Sequence, residues 1–136
     1  MRTRPDGQIA AQLACTAVLR LCSAGELFEL AATAKPKHFE PGDALCIEGG
    51  AARECYAITE GEAEVRIGGR VVRNVGAGEV VGERGPLEGR RRSATVTAVT
   101  SVSTWALSSG RLLAVLARNP ALAERMREEI ARRYSP

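Results

Sequence analysis

The segment from Gly76 to Val96, read Gly-Ala-Gly-Glu-Val-Val-Gly-Glu-Arg-Gly-Pro-Leu-Glu-Gly-Arg-Arg-Arg-Ser-Ala-Thr-Val, concentrates the residues that suit ligand chemistry. Gly85 and Pro86 can open one helical turn, whose unpaired N–H groups and positive dipole end attract an anion. The small residues Gly82, Gly85, Ser93 and Ala94 let backbone approach a ligand closely. An arginine entering such a concavity grips a phosphate through its fork of donors. Glu83 would repel that phosphate, so it suits sugar hydroxyls instead. A phosphate together with hydroxyls describes a nucleotide.

Other chemistries compete for the same stretch. A dinucleotide-binding loop needs G-x-G-x-x-G between a strand and a long helix, and Gly78 to Gly82 is one residue too long. A Walker loop needs a terminal G-K-[ST], which the sequence lacks. Arg90, Arg91 and Arg92 could form a nucleic-acid patch, but no aromatics are interleaved with them. The plainest alternative is a solvated turn between strands.

Composition narrows the classes further. The chain has 136 residues, 45% hydrophobic and 26% charged, which suits one soluble globular domain. Aromatics are 4%, so Ala, Val, Leu and Ile must fill the core. A net charge of +3 is too mild to imply nucleic acid. The cations are nearly all arginine, with Lys35 and Lys37 as the only lysines, and guanidinium favours bidentate phosphate contacts. No apolar run is long enough to span a membrane, and no signal-peptide core follows Arg2 and Arg4. Cys15, Cys22, Cys46 and Cys55 show no C-x-x-C spacing and His38 is the only histidine, which argues against zinc. Cys15 and Cys22 read as small buried hydrophobes on one helix. The expected setting is reducing and cytoplasmic, or the cytoplasmic side of a membrane protein if the chain is a fragment. With no nucleophile–base pair or metal cluster in view, an enzyme is not expected.

Three zones must position these residues, together forming a single domain over residues 1–136. In the first (1–36), Ile9, Leu13, Ala17 and Leu21 recur every four residues on one helical face. Ser23 and Glu26 form a capping-box signal for a second helix that ends near Lys35-Pro36. From 38 to 107 the pattern is strand and turn. Tyr56 and Ile58, then Ala63, Val65 and Ile67, then Ala94, Val96 and Ala98 alternate with polar neighbours. Gly68-Gly69 reads as a two-residue hairpin turn, and Arg92 to Val96 as the return to a strand. From 108 to 134, Ser108 or Ser109 caps a helix, Pro120 opens another, and Glu128–Arg132 and Glu129–Arg133 are i,i+4 pairs. The expected fold class is α+β, an antiparallel eight-stranded β-roll, jelly-roll-like and barrel-shaped, flanked by N-terminal helices and two C-terminal helices.

The Gly82-Glu83 pair, the spacing to Arg92, and the run Arg92-Ser93-Ala94-Thr95-Val96 resemble the phosphate-binding cassette (82–96) of cyclic nucleotide-binding domains. The resemblance extends through Phe39-Glu40-Pro41-Gly42-Asp43, Glu48-Gly49, Tyr56-Ala57-Ile58 and Glu60-Gly61, and covers roughly residues 20 to 133. It implies a cyclic nucleotide sensor whose ligand-binding set is Gly82, Glu83, Arg84, Gly85, Arg92, Ser93 and Ala94. Arg92 would hold the exocyclic phosphate oxygens and Glu83 the ribose 2′-hydroxyl. Backbone N–H groups near Gly85 and Ser93 would complete the cradle, with Gly82 and Ala94 leaving room. Arg84 and Pro86 stand where the family usually has apolar residues, and Leu87 is expected to take over that packing. Ser93, where a threonine would favour the guanine ligand, points to cAMP over cGMP. The resemblance implies no cofactor beyond that ligand, no direct nucleic-acid contact and no membrane insertion. It further implies two C-terminal helices that transmit the signal to an effector domain or protein partner. Arg132, Arg133 and Tyr134 are candidates for a lid over the base. The alternative is a degenerate domain of the same fold that serves protein interaction without nucleotide.

Overall fold

In a computed structural model, which describes residues 6–82, 92 and 94–133, these signals resolve into helices at both ends and eight strands between them. The N-terminal part comprises α1 (Asp6–Ala14), a 3₁₀ turn (Leu19–Leu21) and α2 (Ala24–Thr33). Ile9 and Leu13 are buried as their spacing predicts, but α1 stops before the rest of the stripe. The Thr16 hydroxyl donates to the Leu13 carbonyl at 2.7 Å, and the Ala17 amide donates to Gly78 at 3.0 Å, so the backbone leaves the helical path. Leu21 is therefore carried by the 3₁₀ turn. The expectation of two buried cysteines on one helix fails for the same reason: Cys15 is exposed beyond the end of α1, while Cys22 is buried after the turn.

α2 opens with the expected capping box. The Glu26 amide donates to Ser23 Oγ at 3.2 Å, and the Ser23 amide donates to Glu26 Oε1 at 2.7 Å. It ends at Thr33, earlier than Lys35-Pro36, because the residues before Pro36 are extended and already entering a strand. The strands are β1 (Lys35–Phe39), β2 (Ala44–Cys46), β3 (Glu54–Glu60), β4 (Glu62–Ile67), β5 (Arg70–Gly76), β6 (Val80–Val81), β7 (Thr95–Ala98) and β8 (Val102–Ser108). Pro36 is tolerated because β1 lies at the edge of the sheet of described strands, pairing there with β8. Gly68 and Gly69 both take positive φ (59° and 78°), the two-residue turn expected between β4 and β5.

The strands form two antiparallel four-stranded sheets, ordered β1-β8-β3-β6 and β2-β7-β4-β5. The barrel-shaped closure expected from strand count does not occur among the described residues. The strands face one another as two layers of a roll, with β1 and β6 ending one sheet and β2 and β5 the other. Tyr56, Ile58, Val81 and Ala106 of the first sheet meet Val65, Val75, Val96 and Ala98 of the second, forming the roll interior. On the opposite face of the first sheet, Cys55, Ala57, Val80 and Leu107 pack with helix residues such as Leu13, Leu30, Leu112 and Met126.

The chain finishes with α3 (Ser109–Ala117) and α4 (Pro120–Arg133). Ser108 is the N-cap of α3, its Oγ accepting from the Arg111 amide at 3.3 Å. Asn119 Oδ1 accepts from the Leu122 amide at 3.1 Å ahead of α4. The Glu26 carboxylate also accepts from Asn119 Nδ2 at 3.0 Å, clasping α2 to α4. Arg132 pairs with Glu129 and not with Glu128 as its spacing suggests. Glu129 is half-buried where α4 faces the 3₁₀ turn, and it also takes Arg20 at 3.2 Å. The Arg133 side chain and Tyr134 lie outside the described residues. No helix among the described residues is long and apolar enough to cross a membrane.

Candidate functional site

Of the expected ligand-binding set, Gly82, Arg92 and Ala94 are described. Glu83, Arg84, Gly85 and Ser93, with the short helical turn expected at Gly85-Pro86, lie outside the described residues. Arg92 precedes β7 and is not part of it, correcting the strand expected from Arg92 onward. Its backbone is held by the loop between β2 and β3. The Arg92 amide donates to the Gly50 carbonyl and the Gly49 amide donates to the Arg92 carbonyl, both at 2.9 Å. Next to this bridge the Glu48 amide donates to Thr95 Oγ1 at 2.9 Å. Gly49 and Gly50 thus seat the arginine's backbone.

The Arg92 side chain is drawn inside, leaving the residue 8% exposed. Nη1 donates to the Gly82 carbonyl at 3.0 Å and Nη2 to the Glu54 carbonyl at 2.5 Å. The guanidinium therefore ties the start of β3 to the residue after β6. These strands are neighbours, with Tyr56 opposite Val81 and Ala57 opposite Val80. Gly82 has φ of +86°, and a Cβ there would collide with Arg92 Nη1 and lie 3.2 Å from its Cζ. The room Gly82 leaves is filled by the arginine itself, a role the sequence reading assigned to ligand approach. Ala94 is half-buried against the roll interior.

Among the described residues Arg92 forms no ion pair; its two side-chain partners there are neutral carbonyls. A buried cation beside neutral acceptors sits in a medium that strengthens attraction to an anionic partner. The five N–H donors of a guanidinium exceed the two bonds it makes to the described residues, so the fork can also donate to phosphate oxygens.

Two residues on the Arg92 side of the roll, Glu54 and Lys37, escaped the sequence reading. Glu54, whose carbonyl takes Nη2, directs its carboxylate to Lys37 Nζ at 3.5 Å and to the Tyr56 hydroxyl at 3.2 Å. The ammonium group lies 5.6 Å from the Phe39 ring centroid and 5.5 Å from that of Tyr56, and these two rings meet edge to face at 5.4 Å. Burial and the neighbouring Glu54 push the Tyr56 hydroxyl up to about 12, and the Arg92 charge opposes that rise. Lys37 being one of only two lysines was a signal in the sequence, but nothing there connected it to Glu54.

A separate open cavity of about 550 Å³ lies where α1 approaches the outer face of the first sheet, lined by Gln12, Cys15, Thr16 and Trp105 among others. None of the expected binding residues lines it.

Comparison with known proteins places this arrangement. The family model of the cyclic nucleotide-binding domain matches residues 36–119. The cyclic nucleotide-gated channel cone photoreceptor subunit alpha of Gallus gallus is 31% identical over 116 residues, covering 79% of this chain and 16% of the channel subunit. A cGMP-dependent protein kinase of Toxoplasma gondii is 42% identical over 62 residues, 46% of this chain and 6% of the kinase. The chain thus spans only a small part of these relatives. Among solved structures, the regulatory domain of Toxoplasma gondii PKA, co-crystallised with cAMP, superposes with a TM-score of 0.75 at 26% identity, covering 85% of this chain and 46% of that one. The sensor domain of the transcriptional regulator DNR from Pseudomonas aeruginosa shares the fold, with a TM-score of 0.79 at 18% identity over 94% of this chain and 89% of that one. With the family model spanning both sheets and the Arg92 seat, this chain belongs to the cyclic nucleotide-binding domain family.

Proposed function

We propose that this chain is a cytoplasmic cyclic nucleotide sensor with no catalytic chemistry, and that Arg92 is the group that captures the cyclic phosphate. The observation that carries this reading is a buried guanidinium whose contacts among the described residues are neutral carbonyls, within a chain of this family. In this reading Arg92 takes the exocyclic oxygens, Glu83 accepts from the ribose 2′-hydroxyl, and the amides near Gly85 and Ser93 complete the cradle. Arg84 flanks it, and Ala94 keeps the wall small. Ser93 in place of threonine favours cAMP over cGMP. Movement of α3 and α4 carries the signal to an effector domain or protein partner, which requires different ligand affinities in the two helix arrangements. The channel and kinase relatives support such an output.

Titration calorimetry with cAMP and cGMP on wild type and Arg92→Ala tests the reading. Removing the counter-charge of a buried phosphate costs about 3–5 kcal/mol, so Arg92→Ala is expected to bind at least a hundredfold more weakly. Equal affinity in the variant would remove Arg92 from the site. A second reading, a degenerate domain acting without nucleotide, draws support from another structural neighbour. The regulatory subunit of a cAMP-independent protein kinase A from Trypanosoma brucei is 29% identical, with a TM-score of 0.72, covering 85% of this chain and 45% of that one. Absence of heat and of any melting shift with either nucleotide at millimolar concentration would favour it.

A further inference from the structure

Arg92 is bonded to the backbone of Glu54 but not to its carboxylate. Arg92 Nη2 bonds the Glu54 backbone carbonyl, while the carboxylate of the same residue is turned to Lys37 Nζ at 3.5 Å and the Tyr56 hydroxyl at 3.2 Å. Tyr56 lies two residues along β3 from Glu54, so both side chains project from the same face of that strand. Tyr56 is buried among the residues of the roll interior, and its hydroxyl feels both the Glu54 and the Arg92 charge, which puts the two charged groups around one ring. The glutamate side chain is half-buried and has rotamers to spare. Left without its two partners, an ionised carboxylate next to a buried guanidinium would turn to it, because a charge-assisted bidentate pair is the strongest contact available to either group.

We infer that Lys37 is an affinity-setting residue of the nucleotide site: with Tyr56 it withholds the Glu54 carboxylate from Arg92, keeping the guanidinium fork available for the ligand phosphate. The inference rests on Arg92 being the phosphate-binding group. Lys37 acts through Glu54 and is a positioning residue. Its ammonium is steered by the faces of Phe39 and Tyr56 as well as by the carboxylate, so its place does not depend on the ion pair alone. A residue with a purely structural role in β1 would not depend on the identity of residue 54.

That dependence is the test. Binding of cAMP and cGMP is measured by calorimetry for wild type, Lys37→Met, Lys37→Arg, Glu54→Gln and Lys37→Met/Glu54→Gln. Methionine keeps the stem that lies over the two rings and removes only the charge. Lys37→Met is expected to weaken binding about tenfold, since releasing one competing charge-assisted hydrogen bond is worth about that factor. Lys37→Arg and Glu54→Gln should stay within about threefold of wild type, and the double variant should regain wild-type affinity because no carboxylate remains to compete. Loss of affinity in Lys37→Met that Glu54→Gln fails to rescue, or no loss at all, would overturn the inference. A second readout needs no nucleotide: the Arg92 side-chain Nε–H resonance, assigned through Arg92→Lys, should shift in ligand-free Lys37→Met and return in the double variant. An unmoved resonance overturns the exchange of partners. A wild type that binds neither nucleotide while this resonance moves and returns would instead overturn Arg92 as the nucleotide anchor and leave the carboxylate exchange standing.

Discussion

The two sheets of the roll are built from strands of similar length but carry opposite kinds of sequence. β3, in the centre of the first sheet, is buried on both faces from Cys55 to Ile58, because the helices cover one side and the second sheet covers the other. β4 and β7, in the centre of the second sheet, bury only alternate residues: Ala63 and Val65, then Val96 and Ala98. Their outer face carries Glu64, Arg66, Thr95 and Thr97. The difference decides where arginines sit. Arg66 on the outer face of the second sheet pairs with Glu64 at 2.6 Å and is exposed. Arg92 comes from the loop leading into that same sheet, yet turns inward and bonds the backbone of the first. A two-layer roll that is polar outside and sealed on one sheet by helices leaves the seam between its layers as the place for a buried cation.

Substitutions can break this comparison, beginning with the largest effect. A lysine placed on either sheet separates the two. Ala57→Lys puts a charge among the helix-facing core residues and should cost about 4 kcal/mol or more, leaving little folded protein in urea titration. Thr97→Lys, opposite Glu64 on the solvent face, should change stability by less than about 0.5 kcal/mol. Similar losses at both positions would mean the second sheet is covered as well.

Gly82→Ala comes next. The new Cβ meets the Arg92 guanidinium at a residue with φ of +86°, so the fork must leave its seat. A stability loss of about 1–3 kcal/mol in denaturant titration is expected from backbone strain and a displaced buried charge. Wild-type stability would mean the seam does not hold Arg92 tightly.

The helix-covered side carries its own acid sensitivity through Glu26. Partial burial raises its carboxyl, but hydrogen bonds from the Ser23 amide, the Asn119 side chain and the Ser23 hydroxyl, with the Arg118 charge, outweigh that and hold it below the usual carboxylate range. A carboxyl lowered in the folded state binds fewer protons there than when unfolded. Its contribution is complete above the unfolded value near 4.3 and disappears as pH falls through the folded value. Glu26→Gln should therefore flatten the stability loss of the wild type below about pH 4.5, by roughly 1 kcal/mol at most, as followed by thermal melts against pH. Arg66→Ala should be smallest, under about 0.5 kcal/mol in the same melts, because an exposed pair is screened by water.

Much of this was readable from residue order. The capping box at Ser23 and Glu26, the Gly68-Gly69 turn, Pro120 at the start of α4 and the alternating strands are local features, each decided by a few neighbouring residues and their own backbone preferences. The readings that failed depended on distant partners. α1 stops at Ala14 because residue 17 bonds Gly78, and Arg132 chooses Glu129 because α4 faces the 3₁₀ turn. At the site, Arg92 and Gly82 were legible as a pair because they share one short motif. Glu54 and Lys37 were not, since they lie 38 and 55 positions before Arg92 and carry no turn or spacing signal.

Sequence alone determined the class of the molecule: helices around a strand-rich middle, a small-residue cassette with one suitable arginine, and membership of a family that can be recognised from that cassette. Only the tertiary structure decided what surrounds the arginine. Gly82 makes room for a guanidinium, Gly49 and Gly50 hold its backbone, and Lys37 pairs with the carboxylate of Glu54, whose carbonyl the guanidinium bonds. The physical reason is range. Backbone preference and periodicity act over a few residues, whereas the electrostatics of a buried charge depend on whatever groups the fold brings within a few ångströms of it.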